Sequence, residues 1–396
     1  MKKLGKKMSF ALVLMLVAAL VFTGCAKPAQ QSTTGDGSEK SEDVIKIGVF
    51  EPLTGANAAG GAIELEGIQL ANELYPEVLG KKVQLVVVDN KSDKVEAANA
   101  ASRLIDKEKV SAIIGSWGSS LSMAAGDAVK NAKIPAVGAS CTNPLVTLNN
   151  DYYFRVCFID PFQGTVMANY AINKLGAKKA AIIQEVSSDY SVGLAKFFTD
   201  AFKKLTGDEN AIVGSASYNT GDQDFTAQLT NIKTLNPDVI FAPGNFTESA
   251  LLIKQARELG INIPILGGDT WETPEFIDIG KEAVEGVVFS TFFTSEVPIT
   301  KKSEEFLKAY REKYNKEPAS VTALGFDAYL VILDAIERAG SADPVAIRDA
   351  LAQTKDYMGA AGVITLDENG DAVKSAVIKV VKDGKFTYLD TVEPIK

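Results

Sequence analysis

"VIKIGVF" (residues 44–50), "IELEGIQLANELY" (63–75) and "VQLVVVD" (83–89) follow one another closely and decide the fold class. The first and third are short, apolar and rich in β-branched residues, as strands buried on both faces are. The middle stretch mixes apolar and charged residues at helical spacing. Strand, helix, strand in this order calls for a crossover, and hence for parallel pairing.

The pattern continues outward. "VEAANAASRLIDKE" (95–108) reads as a helix, "VSAIIG" (110–115) as a strand, "SLSMAAGDAVKNA" (120–132) as a helix and "IPAVG" (134–138) as a strand. It restarts with "AKKAAIIQ" (177–184) and runs through three further strands, "AIVGSASY" (211–218), "DVIFAPG" (238–244) and "IPILGG" (263–268), with helices between them. Two successive α/β runs of similar length predict two similar lobes, each a parallel sheet covered by helices. Beyond "GVVFSTFF" (286–293) come two helices, 301–314 and 321–340, and a short all-β tail, 376–392.

Composition narrows the function. The 396 residues include 41 Lys and Arg against 50 Asp and Glu, with no basic run beyond the extreme N-terminus, so nucleic acid is not an expected partner. Histidine is absent, which removes the commonest general base, every Ser-His or Cys-His pairing and the usual zinc sites. Three cysteines, Cys25, Cys141 and Cys157, form no CxxC motif, so no metal and no redox pair is expected. Cys141 and Cys157 are expected to be buried free thiols, with pairing as the alternative.

The N-terminus has a basic segment, Lys2 to Lys7, then the apolar "FALVLMLVAALV" (10–21), too short to span a bilayer comfortably, then "FTGC" (22–25). Small residues running into Cys25 resemble a bacterial lipobox. This implies a signal peptide over 1–24, lipidation of Cys25 and a polar tether over 25–43. The globular part is then expected outside the cytoplasmic membrane, held there only through its N-terminal lipid.

Ligands of open parallel sheets bind beyond the carboxyl ends of the strands. The loops at those ends are "EPLTGANAAGG" (51–61), "GSWGSSLS" (115–122), "GASCTNP" (138–144), "EVSSDYSVG" (185–193), "PGNFTES" (243–249) and "GGDTWETPE" (267–275). They hold Trp117 and Trp271, the only tryptophans, one in each expected lobe, which suggests a shared apolar-walled cleft. No GxxxxGK[ST] and no GxGxxG after the first strand is present, and "GSWGS" is not a GxSxG elbow. What "GSWGSSLS" offers is a strand, a tight turn and a helix opening whose free amides and hydroxyls can seat a carboxylate. Plain capping by Ser119 or Ser120 would explain the serines but not the tryptophan, and on the residues alone both stand.

Taken in order, "GSWGSS" (115–120), "GASCTNPLVT" (138–147), "SSDYSVGLAKFF" (187–198) and "ILGGDTWETPEF" (265–276) resemble the branched-chain amino-acid (Leu/Ile/Val) receptors of ABC importers, which have the type I periplasmic-binding fold. The resemblance spans nearly the whole chain after the tether. It implies two Rossmann-like lobes joined by a three-crossover hinge, lobe one comprising 44–162 and 293–372, lobe two 163–292 and 373–396. It also implies that Ser119 and Thr142 bind the ligand carboxylate, and that the Ser140 carbonyl, the Thr142 hydroxyl and Asp269 accept from the ammonium. Tyr190 would face the ligand from lobe two. Trp117 and Asn57 would line the side-chain pocket, with Asn245 or Phe246 standing where the family usually has a tyrosine and Trp271 beside the cleft.

The expectation is therefore a monomeric receptor, without catalytic residue or cofactor, that closes on an α-amino acid and delivers it to ABC permease subunits. An amide, urea-like or aromatic-acid solute, or a sensory role with the same fold, are the alternatives. A further alternative is an exported hydrolase with a Lys or carboxylate base in place of histidine, which no residue pattern singles out.

Overall fold

The computed structural model describes residues 44–394; the signal-like segment, Cys25 and the whole tether lie outside the described residues. From Ile45 the strand–helix alternation builds a six-stranded sheet. Its elements in chain order are β1 (Ile45–Glu51), α1 (Ala58–Leu74), β2 (Glu77–Val78), β3 (Lys81–Asp89), α2 (Lys94–Arg103), β4 (Ala112–Ile114), α3 (Ser119–Ala132), β5 (Ala136–Gly138) and β6 (Tyr153–Arg155). The strand order is β2-β3-β1-β4-β5-β6, parallel throughout except for the short edge strand β2.

The second run gives α4 (Asp160–Asn173), β7 (Ala180–Glu185), α5 (Asp189–Thr206), β8 (Ile212–Tyr218), α6 (Thr226–Thr234), β9 (Val239–Phe241), α7 (Phe246–Glu258), β10 (Ile265–Gly267), α8 (Pro274–Gly280) and β11 (Val288–Thr291). After α9 (Lys301–Tyr314), α10 (Ser320–Ala339), α11 (Pro344–Leu351) and the hairpin β12 (Tyr357–Gly359) and β13 (Gly362–Ile364), the chain ends in β14 (Ala376–Lys382) and β15 (Lys385–Val392). The second sheet is ordered β15-β14-β11-β10-β9-β7-β8.

This sheet is mixed rather than purely parallel. β14 runs antiparallel to β11, and β15 antiparallel to β14. The sequence "KDGK" explains the second of these pairings: Asp383 and Gly384 both take positive φ (53° and 65°), the pattern of a tight two-residue hairpin turn. The helices between β11 and β14 return to the first lobe, where α10 packs against α1. Gly67 allows this close approach, since a Cβ there would meet the Thr322 carbonyl oxygen at 1.9 Å. The chain thus passes between the lobes after β6, after β11 and before β14, the three crossovers that the resemblance implies.

A buried ion pair braces these passages. Lys379 on β14 donates to Glu272 Oε1 at 2.6 Å, and Glu272 Oε2 accepts from Thr291 of β11 at 2.7 Å. The Ser320 amide, which opens α10, also reaches Glu272 Oε1, at 3.3 Å. A buried carboxylate needs such donors, because leaving water without them is costly. No described helix is long and apolar enough to cross a membrane.

Candidate functional site

The carboxyl ends of both sheets face one cavity of about 90 Å³, room for a small solute rather than a single water. Lobe one lines it with Asn57, Ser92, Lys94, Trp117, Ser119, Ser120 and Ser140, and lobe two with Glu185, Ser188, Tyr190, Thr220, Asn245, Asp269 and Thr270.

The "GSWGSS" stretch folds as its glycines require. Gly115 and Gly118 take φ of +135° and +90°, which side-chain-bearing residues avoid, so the chain turns sharply between β4 and α3. Gly118 occupies the N-cap position without a side chain, and α3 opens with Ser119 and Ser120 inside its first turn. Neither serine caps the helix. Ser119 Oγ accepts from the Asn143 amide at 3.0 Å, which leaves its proton to donate. Ser120 Oγ accepts from the Asp189 amide of lobe two at 2.9 Å. With the positive end of α3 behind them, these groups make an anion seat.

The facing wall is acidic. Asp269, just after β10, is buried, and its Oδ1 accepts from Gln163 Nε2 at 2.7 Å and Tyr190 Oη at 2.9 Å. Burial pushes its carboxyl up to about 6 against the pull of those two donors. A cation placed beside it would offset that desolvation and restore the charge. Glu185 ends β7; its carboxylate accepts from the Asn245 amide at 3.1 Å, from Asn245 Nδ2 at 3.0 Å and from Thr220 Oγ1, while burial still raises it.

Trp117, Asn57, Ser119, Ser140, Tyr190 and Asp269 come together on this cavity as the sequence suggested. Three expected residues do not face it. Thr142 is fully buried behind the wall, its hydroxyl beside the buried Asp160 carboxyl. Phe246 packs edge-on against Trp117, ring centres 6.1 Å apart, and its neighbour Asn245 takes the place in the wall. Trp271 lies in the lobe-two core, stacked on Phe276 at 5.0 Å and pressed over Gly267, where a Cβ would fall 2.2 Å from the ring. The short helical turn Asp269–Trp271 sends the acid and the indole to opposite sides of the strand end.

Other participants carry a weaker sequence signal. Arg155, the last residue of β6, is fully buried, paired with Asp371 at 2.7 Å, and donates to the carbonyls of Cys141 and Asn143 at 2.6 and 2.9 Å. It thereby fixes the loop that carries Ser140 and Thr142. Lys94 bridges to Asp189 at 2.7 Å, and Asn143 Nδ2 donates to the Asp189 carbonyl at 2.8 Å; both bonds join the lobes at the mouth of the cavity. Glu185 and Arg155 are each the last residue of a strand, a position that could have marked them. Cys141 and Cys157 are free and buried. No cluster suited to a metal occurs among the described residues.

Chemically, the cavity sets hydroxyls and helix amides against a buried carboxylate, an arrangement matched to a solute with an anionic end and a cationic end. A periplasmic binding protein family model matches residues 44–385. The Leu/Ile/Val-binding protein homolog 3 of Brucella melitensis is 30% identical over 91% of this chain and 97% of its own length. Two crystal structures share the fold: a leucine binding protein, LivK, from Thermotoga maritima (47% identity, 88% of this chain and 99% of that one, TM-score 0.86), and LivJ of Streptococcus pneumoniae in complex with isoleucine (35% identity, 89% and 100%, TM-score 0.83).

Proposed function

This chain belongs to the branched-chain amino-acid substrate-binding family of ABC transport systems, a family of extracytoplasmic solute receptors rather than enzymes, and we propose that its solute is a branched-chain α-amino acid. The observation that carries the proposal is the opposition of the α3 N-terminus and buried Asp269 across a single cavity. The names of LivK, a leucine binding protein, and of LivJ with its bound isoleucine support the same reading.

In this account Ser119 and the free amides that open α3 donate to the solute carboxylate, and Thr142 supports the site from behind the wall. The Ser140 carbonyl and Asp269, braced by Tyr190 and Gln163, accept from its ammonium. Trp117, with Phe246 behind it, walls the side chain. Lobe one comprises 44–162 and 293–372, and lobe two 163–292 and 373–396. Because each lobe grips a different end of the solute, the gain from binding exists only in the closed form and holds the lobes together. ABC permease subunits then recognise the closed form, and lipidation at Cys25 keeps the receptor at the membrane.

The full chain, freed of bound solute by unfolding and refolding, should melt at higher temperature with leucine, isoleucine or valine. No response to any α-amino acid would overturn the proposal. Asn57, Glu185 and Thr220 also line the cavity, and their polarity favours an amide or urea-like solute as the second reading. Stabilisation by such a compound with none by the aliphatic amino acids would select it.

A further inference from the structure

Behind the cavity wall lies a pair of carboxyl groups that do not line it. Glu51 ends β1, Glu64 projects from α1, and both are fully buried. Each fastens one of the lobe-one loops that seat the solute. Glu51 Oε2 accepts from the Trp117 amide at 2.7 Å, and Glu64 Oε2 accepts from the Ser140 hydroxyl. The remaining oxygens, Glu51 Oε1 and Glu64 Oε1, are buried without a protein donor, and the two carboxyl groups are neighbours that interact in this site. Two neighbouring carboxyl groups buried with oxygens that no donor meets cannot both be ionised cheaply, and a proton between them satisfies both.

We propose that Glu51 and Glu64 hold one shared proton between their Oε1 atoms, and that this protonated pair positions the 115–119 and 138–142 loops for solute binding. The inference rests on the amino-acid receptor reading for its consequence and on the buried pair alone for its existence. The groups facing the pair are the Cys141 thiol beside Ser140, the Tyr153 phenol on β6, the Cys157 thiol after β6 and the Asp269 carboxyl across the cavity. All are acids, so no cation offsets a second negative charge. Burial accordingly pushes Glu64 to about 7 and Glu51 well above the ordinary carboxyl range. Loss of the shared proton sets two anions against each other in a dry site and drives apart the loops that carry Ser119 and Ser140.

Glu51→Gln tests this cleanly. Its amide can donate to Glu64 and its carbonyl can accept from Trp117, with no proton to lose. In calorimetric titrations of the refolded full chain with leucine, wild-type affinity is expected to fall about tenfold or more between pH 7 and 9. The variant should lose much less. The leucine ammonium titrates alike in both experiments, so the ratio of the two affinities isolates the pair. Parallel profiles overturn the proposal.

If leucine binds neither protein, the solute reading fails, and the pair is judged on the ligand-free proteins. There the wild-type melting temperature should fall more steeply than that of Glu51→Gln from pH 7 to 9, and equal slopes overturn the pair. Should Glu51→Gln not fold, Glu64→Gln provides the same comparison, since its amide donates to Glu51 and its carbonyl accepts from Ser140.

Discussion

Glu51 and Glu185 occupy matching places in the two lobes. Each ends the strand between the two that carry the chain outward, β1 between β3 and β4, β7 between β8 and β9. Each accepts a backbone amide from the loop after the neighbouring strand, Trp117 after β4 and Asn245 after β9. Their remaining partners differ. Glu185 meets the Asn245 amide group and the Thr220 hydroxyl, all donors, and reaches the cavity wall. Glu51 meets another carboxyl in a fully buried site. The same scaffold device therefore works as a donor-satisfied anion in lobe two and needs a proton in lobe one.

The division of labour extends to the solute, and there the largest effect is expected. Lobe two supplies the charge that meets the ammonium, so Asp269→Ala should cost about 2–5 kcal/mol of binding, as loss of one partner of a buried charged pair does. Calorimetric titration with leucine measures it, and an unchanged affinity would refute the ammonium role. The next effect sharpens the comparison itself. Glu185→Gln sets an amide against three converging donors and should lower stability by about 1–3 kcal/mol in urea unfolding. The same change at Glu51 should cost under about 1 kcal/mol, because an amide reproduces the protonated acid there. Equal costs would erase the distinction between the lobes.

Acidity offers a third test. Asp269 sits at about 6 in the folded ligand-free protein, above the ordinary 3.8 of an unfolded chain. The folded form thus binds this proton more tightly, and the stability it adds is complete below pH 4 and lost as pH rises through about 6. Solute binding needs the ionised form, so affinity should weaken as pH falls below about 6. Asp269→Asn should remove that acid limb along with most of the affinity, whereas a wild-type affinity flat from pH 7 to 4.5 would contradict the assignment. The smallest effect is expected at the cavity mouth. Lys94→Ala removes a half-exposed ion pair to Asp189 and should weaken binding by no more than about 1 kcal/mol.

Much of this was legible in the sequence. Alternating apolar runs and helices forecast both sheets, since each strand buried on two faces must be continuously apolar. The antiparallel hairpin β14–β15 was visible only as a β-rich tail, because the pairing partner of a final strand depends on which sheet edge the chain reaches. Strand-end loops located Ser119, Tyr190 and Asp269 because the fold brings those ends together. They misplaced Trp271, because a turn of three residues decides whether a side chain faces the cavity or the core. Glu51 and Glu64 lay within stretches assigned to loop and helix, and nothing local showed that α1 would bring one carboxyl against the other.

The central claim is that the cavity recognises the two charges of an α-amino acid at once. Titrating the ligand-free protein with leucine and with 4-methylpentanoate, which lacks only the ammonium, tests it most directly. The account predicts binding of leucine and a loss of at least about a hundredfold for the deaminated acid, the scale of an unmet buried charge. Comparable affinities for the two compounds would contradict it.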